Sequence, residues 1–125
     1  PYGHSDGIIH WCGGNRVLMS NYRNTNSSGA DYIKEKLEQK GFVVTELLFD
    51  EVKSQSPDWN WAYINYLQIG NKIIMPSFGI PEDKIALKYI QEANPGCEIR
   101  QIRLRDIAGN GGALHCITWN IRKKI

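Results

Sequence analysis

Gly14-Asn15-Arg16-Val17-Leu18-Met19-Ser20 returns, at an offset of 56 positions, as Gly70-Asn71-Lys72-Ile73-Ile74-Met75-Pro76. A repeat of this length restricts the fold more than any other feature of the chain, because it means modules rather than one irregular domain. Before each Gly-Asn lies an apolar stretch, Ile8 to Cys12 in one copy and Ile64 to Ile69 in the other. A Gly-Asn pair between two β-prone runs predicts a tight hairpin. A helical pattern and one more β-prone run follow in each copy.

In the first copy the helix is expected over Ala30 to Lys40, with Ala30, Ile33 and Leu37 as its apolar stripe. Ser28 and Asp31 resemble a capping box, and Gly41 suits the position after the C-cap. Phe42 to Leu48 reads as a strand. In the second copy Pro81-Glu82 opens the helix, and Ile85, Ala86, Tyr89, Ile90 and Ala93 form its buried face. Asn94-Pro95-Gly96 stops it, and Glu98 to Leu104 reads as the closing strand. Each copy is thus β-β-α-β, in an α/β chain with modules at 1–50 and 62–125 joined by a polar connector at 51–61.

Charge excludes some function classes. Fifteen basic against 13 acidic residues leave a net charge of +2, too even for a nucleic-acid or membrane-surface argument. Arg122-Lys123-Lys124, the only basic cluster, reads as a solvated tail. No apolar run approaches the roughly 20 residues of a membrane span. Three cysteines, Cys12, Cys97 and Cys116, are too few and odd in number for a disulfide framework. Reduced thiols in a cytoplasmic setting are expected, although the chain opens on Pro1 rather than Met, which leaves room for an upstream leader or domain and, with it, secretion.

The chemistry-bearing stretch is Gly109-Asn110-Gly111-Gly112-Ala113-Leu114-His115-Cys116-Ile117-Thr118-Trp119. Its glycines allow close backbone approach, so the turn can wrap a small ligand with Cys116 at its edge. A thiol there is a candidate nucleophile; a buried structural cysteine is the plainer alternative. His4, with an ordinary pKa of about 6.5, suits proton transfer near neutrality. Asp6 lies two residues on and shares its face in an extended segment. Its carboxylate can accept a planar pair of N–H bonds, although an Asx turn before Gly7 would use the same residue.

Together these segments resemble the agmatine deiminases and the related bacterial peptidylarginine deiminases. GGALHCIT resembles the C-terminal family motif, and Gly3-His4-Ser5-Asp6-Gly7 resembles its Gly-His-x-Asp. Tyr63-Ile64-Asn65-Tyr66, followed by Ile74-Met75-Pro76-Ser77-Phe78-Gly79, resembles a third. The resemblance implies the pentein fold, five β-β-α-β modules about a pseudo-fivefold axis, of which about two are counted here. It thereby implies the C-terminal part of a longer enzyme, inactive alone. Expected partners are a small guanidino substrate, upstream modules or another chain completing the ring, and, as an option, a second copy of this chain.

The activity implied is hydrolysis of a guanidino group to a ureido group with release of ammonia, on agmatine, arginine or peptidylarginine. Cys116 would attack, His4 would carry protons, and Asp6 would hold the guanidinium. Asn65, Gly111 and Gly112 would line the substrate pocket, with Asn65 equally suited to buried polar support of the sheet. No cofactor or metal is required. Trp119 departs from the usual Gln of the motif, which puts substrate choice in doubt. Asp50, Asp58 and Asp106 fall in no matching motif, so the second substrate-binding acid is expected upstream.

Two other readings compete. His4, Asp6, His10, Cys12, His115 and Cys116 are all metal-ligand types, but no C-x2-C or HExxH spacing accompanies them, and strand alternation would turn His115 away from Cys116. A non-catalytic binding or assembly module of the same fold is the other.

Overall fold

The computed structural model describes residues 7–52 and 61–104. Two three-stranded sheets repeat one plan. The first unit contains β1 (Ile9–Trp11), β2 (Arg16–Met19), α1 (Ser27–Gln39) and β3 (Val43–Glu46). The second contains β4 (Leu67–Ile69), β5 (Lys72–Ser77), α2 (Glu82–Ala93) and β6 (Glu98–Arg103). In both, the middle strand pairs antiparallel with the strand before it and parallel with the strand after the helix. This is the β-β-α-β order expected from the repeat.

The hairpins differ in detail. Ile69 pairs with Lys72, so Gly70-Asn71 is a two-residue turn, and Gly70 at φ 60 supplies the left-handed conformation its first position requires. In the first unit the Cys12 amide donates to Arg16 O at 2.9 Å, and the turn widens to Gly13–Asn15.

The first helix starts earlier than the sequence pattern placed it. Asn26, not Ser28, is the cap: its Oδ1 accepts from the Gly29 amide at 2.8 Å and from Ser28 Oγ at 3.1 Å. Asp31 instead pairs with Arg23 at 2.6 Å. At the other end Phe42 N–H reaches Leu37 O and Gly41 N–H reaches Glu38 O, the paired bonds of a Schellman ending, with Gly41 at the expected position.

The core is unevenly shared. Ala62, Tyr63, Ile64, Tyr66, Ile73, Met75, Phe78, Ala86 and Ile90 pack as one cluster, to which the first unit and its following loop add Leu18, Leu47 and Phe49. Phe78 meets Tyr63 edge-on at 5.4 Å between ring centroids, and Phe49 lies tilted against Tyr63 at 5.8 Å. Helix α2 buries Ala86 and Ile90, with Ile85, Leu87, Tyr89 and Ala93 packed against the cluster. Helix α1 buries only Ala30 completely. Each fully buried Ile or Leu side chain contributes about 1.5–3 kcal/mol by leaving water, so α2 is held much more firmly than α1.

Among the described residues no helix is long and apolar enough to cross a membrane.

Candidate functional site

The shared topology gives each sheet one edge where chemistry can gather. The first strand begins there, and the second and third strands end there. In the first sheet the Ser20 amide donates to Ile8 O at 2.8 Å, Ser20 Oγ donates to Gly7 O at 3.0 Å, and Leu47 N–H reaches Met19 O at 2.8 Å. In the second, Ser77 pairs with Arg103 and the Leu104 amide donates to Ser77 O at 3.1 Å. Along the chain, His4 and Asp6 immediately precede the first edge, and Asn65 precedes β4. Gly111, Gly112 and Cys116 follow the end of β6. Loops at the carboxyl ends of parallel strands are the common place for ligand sites in open α/β sheets. His4, Asp6, Gly111, Gly112 and Cys116 lie outside the described residues.

Asn65 is described, and it is 1% exposed, directly after the 3-10 turn Trp61–Ile64. Its amide donates to Ala62 O at 3.0 Å, closing that turn. Two residues earlier, Tyr63 Oη donates to Asp83 Oδ1 at 2.6 Å. The same carboxylate accepts from the amides of Phe78, at 3.0 Å to Oδ1, Gly79, at 2.9 Å to Oδ2, and Ile80, at 3.2 Å to Oδ2. One side chain in the first turn of α2 therefore ties the Asn65 turn to the loop leaving β5. Burial, then the Asp83 bond, pushes the Tyr63 hydroxyl far above the ordinary tyrosine range.

A second polar group marks the seam between the units. His10 stacks on Tyr66 with ring centroids 3.9 Å apart, and its Nδ1 lies 2.7 Å from Ile64 O. A carbonyl only accepts, so Nδ1 carries the proton. Asn94 Nδ2 donates to Tyr66 Oη at 3.2 Å, and Tyr66 Oη lies 3.5 Å from Cys12 Sγ. Burial pushes the Cys12 thiol up and, more strongly, the Tyr66 hydroxyl, so both remain protonated near neutrality. Beside this seam runs a crevice of about 140 Å³ lined in part by Cys12, Arg16, Thr45, Tyr89 and Glu92. Cys12 and Cys97 are both free thiols.

Among the described residues, no three His, Cys, Asp or Glu side chains gather in a way that could hold one metal ion. His10 and Cys12, named among the ligand types, are engaged at the seam instead; His115 lies outside the described residues.

Sequence reasoning alone missed Asp83 and the His10–Tyr66 seam. Tyr63 and Phe78 did stand in the quoted motif, and Asp83 sits where helix-start signals accumulate, in the first turn after Pro81. Its partners 5 and 20 residues away were not visible in any local pattern.

Comparison with known proteins follows the same outline. The sequence profile of the Porphyromonas-type peptidyl-arginine deiminases matches residues 2–121. A Listeria monocytogenes serovar 1/2a protein named "Putative agmatine deiminase 1" is 38% identical over 60 residues, 48% of this chain and 16% of the relative. Among solved structures, C. jejuni agmatine deiminase superposes with a TM-score of 0.67 at 22% identity, over 90% of this chain and 36% of that one. The agmatine deiminase of Enterococcus faecalis gives a TM-score of 0.68 at 18% identity, over 91% of this chain and 39% of that one. The fold is the α/β pentein type, and the chain spans less than two fifths of the length of these relatives. With a profile match across nearly its whole length, carrying all three motifs, the chain belongs to the Porphyromonas-type peptidyl-arginine deiminase family.

Proposed function

We propose that this chain carries the cysteine- and histidine-bearing part of a hydrolase that converts a guanidino group to a ureido group with release of ammonia. The observation that carries the reading is the profile match over residues 2–121, which takes in His4, Asp6, Asn65, Gly111, Gly112 and Cys116 together. The guanidinium carbon is a poor electrophile because its charge is delocalised, so the substrate must be fixed and its departing nitrogen protonated. Asp6 accepts two N–H bonds from the guanidinium. The Cys116 thiolate attacks the carbon, and His4 as imidazolium gives its proton to the departing nitrogen, which leaves as ammonia. The amidino-thioether that remains is attacked by water after His4 takes one of its protons. Collapse expels the Cys116 thiolate, the hydroxyl proton passes to solvent and is taken up by the released ammonia as ammonium, and the ureido product forms. Atoms balance with water as the only co-reactant.

Agmatine is the first-choice substrate, in keeping with the names of the relatives, with free and peptidyl arginine next. The outer strands support a role for further modules or another chain. Trp11 on β1, Val43 on β3, Ile69 on β4 and Ile102 on β6 are each a large apolar side chain left exposed. Apolar groups repeated on every outer strand fit covering surfaces better than solvent. Turnover by the full-length protein tests the reading, with ammonia and ureido product measured on agmatine, arginine and a peptidylarginine. Cys116→Ala is expected to abolish product on the preferred substrate. Undiminished turnover in that variant, or turnover lost on metal chelation and restored by a divalent ion, would remove it.

A further inference from the structure

We propose that Asp83 is a positioning residue for this site, acting through the backbone of Phe78–Ile80 and the Tyr63 hydroxyl rather than by touching substrate. The proposal rests on the functional reading above. Three consecutive amides, those of Phe78, Gly79 and Ile80, converge on one carboxylate, a pattern that normally cradles a bound anion. Here the anion is internal. It sits in the first turn of α2, where the helix dipole favours negative charge, and the Ile80 carbonyl accepts from Asp83's own amide at 3.1 Å.

Two neighbours make this anchor more than local helix capping. Tyr63 brings in the turn that ends at Asn65, the one proposed substrate contact among the described residues. On the other side the Arg103 guanidinium lies over Gly79, where an added Cβ would come within 2.5 Å of its NH2 nitrogen. Arg103 ends β6, and Leu104 is held to Ser77 O at 3.1 Å. Both precede, along the chain, the segment with Gly111, Gly112 and Cys116. A single half-buried carboxylate thus ties the Asn65 turn to the loop leaving β5, the loop against which Arg103 at the exit from β6 rests. Displacements of about 1 Å among groups that orient a reacting substrate cost up to roughly a hundredfold in rate.

The test uses the full-length protein with three variants, Asp83→Ala, Asp83→Asn and Tyr63→Phe, and two readouts. One is kcat and KM on the preferred guanidino substrate. The other is amide hydrogen exchange at Phe78, Gly79 and Ile80. Asp83→Ala is expected to lose roughly tenfold to a hundredfold in kcat with less change in KM, and to exchange faster at all three amides. Sodium formate, whose carboxylate fits the emptied nest, should restore part of both, whereas neutral formamide should restore neither. Asp83→Asn keeps the volume but turns a donor toward donors, so it should fall between, and Tyr63→Phe should give the smallest loss. If Asp83→Ala fails to fold, Asp83→Asn and Tyr63→Phe decide the matter by the same two readouts. Faster exchange with undiminished kcat overturns the proposal, and so does lost kcat that formamide restores as well as formate. Wild-type protein inactive on every guanidino substrate fails the functional reading and takes this proposal with it; an active wild type beside a fully active Asp83 variant fails the proposal alone.

Discussion

The two β-β-α-β units share a plan but not a way of being held. Helix α2 buries Ala86 and Ile90 in the central cluster, and its ends are tied by Asp83 and Asn94. Helix α1 keeps only Ala30 fully out of water and relies on its caps and on charges. Arg23 spans that region, bonding Glu46 on β3 through Nε at 3.0 Å and Asp31 on α1 at 2.6 Å. Lys34 adds a looser contact to Glu46 at 3.7 Å. Two copies of one topology can therefore differ in how their helices are held, α2 by apolar burial and buried hydrogen bonds, α1 mainly by local capping and charge pairs, although both units give apolar strand residues to the core.

That contrast sets an order of expected effects. Ile90→Ala should cost about 2–5 kcal/mol in urea denaturation, since it deletes fully buried carbons and leaves a cavity. Leu37→Ala on half-buried α1 should cost under about 2 kcal/mol by the same relation. Equal losses would erase the distinction between the helices.

Alkaline pH should weigh on the second unit next. Tyr63 and Tyr66 hold their protons more tightly in the folded protein than the ordinary tyrosine pKa of about 10. The unfolded chain releases those protons first. Stability is therefore whole below about pH 10 and falls above it, by up to about 1.4 kcal/mol per pH unit for each tyrosine. Tyr63→Phe and Tyr66→Phe should each flatten that slope. A slope unchanged in both variants would contradict the buried neutral pair.

Asn26→Ala, removing the α1 cap, should cost about 1 kcal/mol, with faster amide exchange confined to the first turn of that helix. Arg23→Ala should have the smallest effect of the series. The share that comes from the exposed Asp31 pair should fade by about 1 M salt, whereas the Glu46 pair, whose carboxylate is only 10% exposed, is screened less. A loss that vanishes entirely at high salt would mean that the part-buried Glu46 pair adds nothing beyond surface charge.

The elements legible in the sequence were those decided by neighbours along the chain. The two-residue Gly70-Asn71 turn, the Gly41 ending of α1 and the apolar face of α2 follow from neighbours along the chain, so pattern and structure agree there, whereas the Gly14-Asn15 turn opened to three residues. The start of α1 was misplaced because Asn26 and Ser28 are both good caps. The choice fell to Asn26, whose amide is held by Tyr22 O at 2.9 Å at the end of the 3-10 turn Tyr22–Asn24 and whose side chain accepts from Gly29 and Ser28. For the site, the motifs brought His4, Asp6, Asn65 and Cys116 forward as candidates. Among the described residues, the hydrogen bonds that build its surroundings could not be read from spacing: Tyr63 meets Asp83 across 20 positions, and His10 meets Ile64 across 54.

By itself, the order of residues determined the module, its turns and helix endings, and the family, because these depend on local chemistry and on motifs written in the chain. Only the tertiary structure decided that Asp83 would become an internal anion for the loop after β5, and that His10, Cys12, Tyr66 and Asn94 would form one seam. Such groups are chosen by long-range packing, where a buried polar atom takes whichever partner the fold brings within reach.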